Sequence, residues 1–235
     1  MAKSSASDDW AAAAAVVPQA ARAERERPFW HAMVAHFGWR TVADAGCGAG
    51  FHLNLLRDLG VDGVGFDAAL GVLAGHFVAK AASADLLRPP FADGAFDAAL
   101  CLGNTISLLP SRAAQREGLA ALMRVTRAGG LVLLQGEDAG NLAAAGPVVR
   151  TRRLDETSVH VRVFERVGRK VRMLTGVARE GHDATLEEAR LLPTSERTLS
   201  RMADGLGLVR AALPAPPPGG TAAWWAAFSV PSTLP

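Results

Sequence analysis

The sequence predicts an α/β fold, a doubly wound and mostly parallel sheet that carries an antiparallel hairpin insertion after its fifth strand. Three observations predict it. Short apolar runs alternate with helical patterns from residue 28 to about residue 140, the rhythm of parallel strands joined by right-handed crossovers. A glycine-rich turn, Gly46 to Gly50, joins the first apolar run directly to a helix. Beyond Gly146 the apolar period changes to two, which is the alternation of strands with one buried face.

Taken in order, residues 1–27 pass from Ser, Ala and Asp through an alanine tract to Arg22, Glu24, Arg25, Glu26 and Arg27. They are expected to form a helical or flexible segment able to act as a lid, with the folded domain running from 28 to 235. Phe29, Trp30, Met33, Val34 and Phe37 recur at helical spacing and stop at Gly38. Thr41–Ala45 reads as the first strand, and the helix after the glycine turn carries Phe51, Leu55, Leu56 and Leu59. Val61–Phe66 is the second strand, 69–79 a weak helix, 82–87 a third short strand, Phe96–Leu102 the fourth, and Gln115–Arg127 a helix. Gly129-Gly130 is expected to end that helix and open the fifth strand, Leu131–Gln135. Residues 147–192 then read as antiparallel hairpins capping the sheet edge on the substrate side. A helix over 194–206, capped by Thr194 or Ser195, leads through a proline-rich loop at 214–220 to a final strand, Trp224–Val230.

The chain has 235 residues, 49% of them hydrophobic and 20% charged, enough to bury a substantial core and to exclude a wholly disordered polypeptide. Lys and Arg number 25 against 23 Asp and Glu, a formal charge of +2, so no global field draws the protein to nucleic acid or to anionic lipid. The apolar run Ala11–Val17 is far below the roughly 20 residues of a membrane span and lacks a basic flank, so neither insertion nor export is expected. Two cysteines, Cys47 and Cys101, sit in apolar surroundings, and a reduced, cytoplasmic protein is the simpler reading, although spacing alone leaves a bridge between them open. The expected state is a monomer or homodimer.

The chemistry concentrates at the ends of the first four strands. In Asp44-Ala45-Gly46-Cys47-Gly48-Ala49-Gly50, alternate glycines let the backbone turn sharply and let a ligand approach the peptide plane with no Cβ in the way. A dinucleotide turn needs a third glycine where Phe51 stands, which disfavours a pyrophosphate. Asp67, at the tip of the second strand, lies beside that turn and has the two oxygens that ribose hydroxyls require; a helix cap running into Ala68 is the plain alternative. Ala84-Asp85-Leu86 offers an acid to an adenine amine between aliphatic walls, or a solvated loop residue.

With these residues in order, the chain resembles the class I S-adenosylmethionine-dependent methyltransferases, whose Rossmann-like fold matches the predicted alternation. Val42–Gly50 is similar to the family's first motif, Asp67 to its ribose-binding acid, Ala84-Asp85 to its adenine-side acid, and Phe96–Asn104 to its fourth-strand motif. Arg127-Ala128-Gly129-Gly130 looks like its turn into strand five, with Ala128 in place of the usual proline. Cys101–Leu109 looks most like the branch of glycine N-methyltransferase and small bacterial methyltransferases. That branch uses tyrosines around the methyl donor, and this chain has none.

The resemblance implies S-adenosyl-L-methionine as cofactor, held by Asp44, Ala45, Gly46, Cys47, Gly48, Gly50, Asp67, Ala68, Ala84, Asp85, Leu86, Leu102, Gly103 and Asn104. Methyl transfer by in-line displacement asks for alignment and a free lone pair, so neither a metal nor a covalent nucleophile is expected. N-methylation of a small molecule is favoured over O-methylation, since a hydroxyl needs a positioned base. Asn104 and Thr105, at the carboxyl edge of strand four, and His160 in the hairpins are the catalytic candidates. Trp30, His52 and Arg150 are the substrate-binding ones. A nucleotide-cofactor oxidoreductase and a catalytically silent binder of the donor are the competing readings.

Overall fold

A computed structural model describes residues 19–68, 80–154, 156–182, 185–219 and 222–232. The expected helix over 69–79, the alanine tract and the first 18 residues lie outside them. The described chain runs α1 (Gln19–Phe37), β1 (Thr41–Ala45), α2 (Phe51–Arg57), β2 (Asp62–Asp67), β3 (Ala81–Ser83), β4 (Phe96–Cys101), α3 (Thr105–Leu108), α4 (Arg112–Val125), β5 (Thr126–Glu137) and α5 (Ala139–Leu142). It continues through β6 (Val148–Arg153), β7 (Ser158–Val167), β8 (Lys170–Arg179), β9 (Thr185–Leu191), α6 (Glu196–Asp204), β10 (Val209–Arg210) and β11 (Ala223–Ser229).

Seven strands form one sheet in the order β10-β11-β5-β4-β1-β2-β3. β3, β2, β1, β4 and β5 are mutually parallel, and β11 enters antiparallel between β5 and β10. The central strands β1 and β4 are near-continuous apolar runs because both faces are covered. On one face α4 and α6 pack Leu119, Leu122 and Leu199 against Ala43, Ala99 and Val132. On the other, α1 and α2 bring Trp30, Met33 and Leu56 against Val42, Leu100 and Leu133. Ser195 caps α6, its hydroxyl accepting from Thr198 N–H at 3.3 Å.

Four expectations are corrected. First, α1 reaches back to Gln19, so Pro28 stands inside a helix that crosses the expected boundary at residue 27. An interior proline costs about 3 kcal/mol, and complete burial of Trp30 and Met33 just beyond it offsets that cost. Second, α4 ends at Val125, before the glycine pair, and β5 begins at Thr126 with a register shift opposite β4. A Cβ on Gly130 would lie 2.6 Å from Asp97 O, so that position takes only glycine. Third, the insertion has one more strand than its turn signals announced, β9, which completes a separate antiparallel sheet in the order β6-β7-β8-β9. Fourth, this second sheet does not cap a sheet edge. Leu192 N–H donates to Ser107 O of α3 at 2.7 Å, and Arg166 donates to Gly140 O of α5 at 3.0 Å, so it lies over the carboxyl ends of β4 and β5.

Cys47 and Cys101 are both buried and free. No helix among the described residues is long and apolar enough to cross a membrane.

Candidate active site

The site is built at the carboxyl ends of β1, β2, β4 and β5, where an open parallel sheet leaves a crevice. β1 ends at Asp44-Ala45, and Gly46, Gly48 and Gly50 then all adopt left-handed φ (69°, 51° and 77°), a conformation costly for any residue with a Cβ. The turn is fastened to β2. Gly46 and Cys47 N–H both donate to Phe66 O, at 2.8 and 3.2 Å, and Gly48 N–H donates to Asp67 Oδ2 at 3.0 Å. The Cys47 thiol fills the space that Gly65 leaves empty, so this residue contributes backbone to the turn and side chain to the core. A Cβ at Gly48 or at Gly103 would meet no atom within 4 Å, so both peptides border open space.

Asp44 is 1% exposed, and its Oδ2 has no hydrogen-bond partner. Burial, with Asp67 nearby, pushes its carboxyl up to about 7. This orphaned oxygen beside the open turn fits a ligand that brings a cationic or hydrogen-donating group. Asp85 is exposed, and its Oδ1 accepts from Leu87 N–H at 2.9 Å in a local turn, while Ala84 is half-buried and Leu86 buried. Ala68 is exposed.

Leu102 is buried at the end of β4, and Gly103 and Asn104 follow with left-handed φ of 68° and 73°. Asn104 and Thr105 lie at the strand edge as expected, yet their side chains are spent on the protein itself. Asn104 Oδ1 accepts from Glu137 N–H at 2.6 Å, and Thr105 Oγ1 donates to Leu102 O at 2.8 Å while packing over Gly46.

Two of the expected substrate contacts are likewise engaged inside the protein. Trp30 is fully buried among Phe29, His52 and Trp225, and its indole N–H donates to Glu26 Oε2 at 3.2 Å. It is core, not a wall of the acceptor cavity. His52 Nε2 faces an Arg22 amino group at 3.1 Å. A guanidinium has only N–H to offer, so this ring nitrogen accepts and the imidazole is neutral. Burial, more than any neighbour, lowers its basicity.

In the sequence Arg22 is one member of a charged run, but in the structure it organises this corner. It bonds Glu26 at 2.7 Å and lies 3.7 Å over the Phe51 ring. Burial opposes ionisation of Glu26, but the Arg22 guanidinium bonded to it draws the carboxyl below the usual carboxylate range. The field of Arg22 also reaches Asp44 and Arg162. Arg22, Glu26 and Trp30 stand four residues apart, on one face of a helix, and that spacing was the available signal.

The second sheet turns Arg150, Arg152, His160 and Arg162 toward one face, since each is paired in register with another or two residues removed from it. Arg150 bonds Glu137 Oε1 at 3.0 Å, and Arg162 lies 3.8 Å from Oε2. His160 is buried against Thr175 Oγ1 at 2.9 Å. Burial first, then Arg162 and Arg152, push it down to about 4 from 6.5. The unfolded chain therefore takes up this proton as the pH falls below 6.5, while the folded protein resists until about 4. The contribution to stability is complete above 6.5 and is lost between 6.5 and 4. His160→Asn is expected to flatten this part of the stability profile, measured as Tm by calorimetry between pH 4 and 8. A variant curve parallel to the wild type's would contradict this.

Residues 43–134 match the protein family described as Methyltransferase domain. A glycine/sarcosine N-methyltransferase of Parasynechococcus marenigrum (strain WH8102) is 33% identical over 139 residues, 55% of this chain and 49% of that protein. One from Aphanothece halophytica is 29% identical over 123 residues, 48% and 46% of the two chains. The chain thus spans about half the length of the curated relatives it matches. Among solved structures, an S-adenosylmethionine-dependent methyltransferase from Clostridium acetobutylicum superposes with a TM-score of 0.72 at 12% identity, covering 88% of this chain and 92% of that one. The CcbJ methyltransferase of Streptomyces caelestis gives 0.72 at 19%, covering 88% and 90%. The sugar N-methyltransferase KedS8 from Streptoalloteichus gives 0.66 at 18%, covering 88% and 87%. Strand order, glycine turn and family match agree: residues 43–134 match a methyltransferase domain, and the chain has the fold seen in S-adenosylmethionine-dependent methyltransferases.

Proposed function

We propose that the protein is a cytoplasmic enzyme that binds S-adenosyl-L-methionine and transfers its methyl group to a small-molecule amine. The observation that carries this reading is the turn at Gly46–Gly50, left-handed at three alternate glycines and pinned to Asp67 through Gly48 N–H. In this reading Asp67 accepts from the ribose hydroxyls, Asp85 and Leu86 border the adenine, and the peptides of Gly46, Gly48 and Gly103 line the methionyl end. Asp44 offers its unpartnered oxygen to the cationic part of the donor. The bound donor supplies an activated methyl group, and the chain's task is to orient the acceptor and exclude water.

Residues 147–192 form the acceptor-side insertion. Relatives named for glycine and sarcosine N-methylation, and a structural neighbour named for sugar N-methylation, support an amine acceptor. Arg150 and Arg162 give that acceptor's anionic group a place to bind, because guanidinium N–H pairs match carboxylate geometry.

Thermal shift tests the donor assignment. S-adenosylmethionine and its demethylated product should each raise Tm, by the equivalent of about 2.7 kcal/mol at 100 times Kd, and NAD should leave it unchanged. A rise with NAD alone would sink the proposal. Transfer of a labelled methyl group to an amine separates an enzyme from a silent binder.

A further inference from the structure

Glu137 is the last residue of β5, and it enters the space beneath the second sheet at the carboxyl end of the strands. Three groups fix it. Its N–H donates to Asn104 Oδ1 at 2.6 Å, its Oε1 accepts from Arg150 at 3.0 Å, and Arg162 stands 3.8 Å from Oε2. Oε2 is nevertheless closed off from solvent with no hydrogen-bond partner, and so is Arg162 Nε beside it. An unmet carboxylate oxygen in such a place costs free energy unless something donates to it. Asn104 holds a left-handed φ of 73°, an uncommon conformation for a residue other than glycine, and its side chain is committed to the Glu137 peptide. The position of Glu137 is therefore strongly specified. Ala45 of β1 pairs with Cys101 of β4, and Cys101 with Leu134 of β5, so Glu137 and the glycine turn stand at the same end of neighbouring parallel strands.

We propose that Glu137 is the carboxylate that binds the acceptor's amine: Oε2 accepts an N–H bond from it and aims the nitrogen lone pair along the cleft toward Asp44 and the glycine turn. The inference rests on the methyltransferase reading above and names a residue that reading left out. The nitrogen lone pair forms the new N–C bond as the S–C bond breaks, and that bond's electron pair stays on sulfur. Positive charge leaves sulfur and develops on nitrogen, and the product ammonium then gives one proton to water. A fixed carboxylate at the nitrogen stabilises charge where it develops. The same carboxylate suits an amine better than a hydroxyl, because an alcohol must lose its proton to a far stronger base than a carboxylate. Asn104 acts through Glu137 and is a positioning residue.

The test uses the full chain and the variants Glu137→Gln and Asn104→Gly; the second keeps a residue suited to positive φ and removes only the side-chain bond. Binding of S-adenosylmethionine and of its demethylated product is measured by calorimetry. Labelled methyl transfer is followed with glycine, sarcosine, ethylamine, a primary amino sugar and, as hydroxyl controls, glycolate and ethanol. The wild type should methylate or bind at least one amine and neither control. Glu137→Gln should lower kcat/KM for that amine at least 30-fold and Asn104→Gly about fivefold to tenfold, both keeping donor Kd within twofold. A loss under fivefold in Glu137→Gln, an equal loss of donor binding, a preference for the hydroxyl controls, or no binding or transfer with any amine by a donor-loaded wild type would each overturn the inference. Failure of the wild type to bind the donor at all is a different result and overturns the methyltransferase reading beneath it.

Discussion

Asp67→Ala is expected to weaken S-adenosylmethionine binding at least 100-fold, read by isothermal titration calorimetry. Each hydrogen bond to an ionised carboxylate contributes about 1.5–3 kcal/mol, so loss of a pair from ribose corresponds to about 10²–10⁴ in affinity. A second loss adds to it, since Asp67 Oδ2 also holds Gly48 N–H at 3.0 Å, and its removal leaves the turn tied to β2 only through the Gly46 and Cys47 bonds to Phe66 O. Asp67→Asn retains a carbonyl oxygen but not the charge, and an intermediate loss of roughly tenfold is expected. If Asp67 served only as a helix cap, alanine would lower stability by about 1 kcal/mol and leave donor affinity intact. Wild-type affinity in the alanine variant would refute the ribose assignment.

The second large effect belongs to Gly46→Ala. A Cβ there would stand 2.5 Å from Thr105 Cγ2 and 3.0 Å from Thr105 Cβ, and it would also meet Thr105 Oγ1. The left-handed φ of 69° adds its own penalty. Backbone strain of about 1–2 kcal/mol and overpacking of about 1–3 kcal/mol together give an expected loss of about 2–5 kcal/mol in urea unfolding. To escape the clash the turn must shift, which takes Gly48 N–H away from Asp67 and should abolish donor binding as well. Thr105→Ala removes the two closest atoms, so the double variant should recover part of the stability and keep the φ penalty. Strict additivity of the two substitutions would show that Thr105 is not what Gly46 packs against.

The parallel core was legible because its signals are local. Thr41–Ala45 followed by alternate glycines, and Phe96–Leu102 followed by Gly103-Asn104, announce strand ends through chain chemistry that tertiary packing does not alter. Residue types alone did not reveal which side chains would be free once the chain folded. Trp30 and His52 looked available on an apolar helix and beside a glycine turn. The fold instead closes them around Glu26 and Arg22, because a buried indole N–H and an ion pair must each find a partner. Glu137 escaped notice for the opposite reason. A lone acid at a strand end carries no pattern, and only Asn104 from β4's edge and Arg150 from the second sheet give it a place.

By itself the sequence determined the succession of the five parallel strands, the glycine turn and the acid beside it, because backbone freedom, hydrophobic period and capping act over a few residues. The tertiary structure alone decided where the hairpins sit, that α1 runs unbroken through Pro28, and which ionisable groups meet across the cleft. Those outcomes depend on contacts between residues as distant in the chain as Arg22 and His52, or Asn104 and Glu137. The energy of such a contact exists only after the chain has closed the loop between its partners.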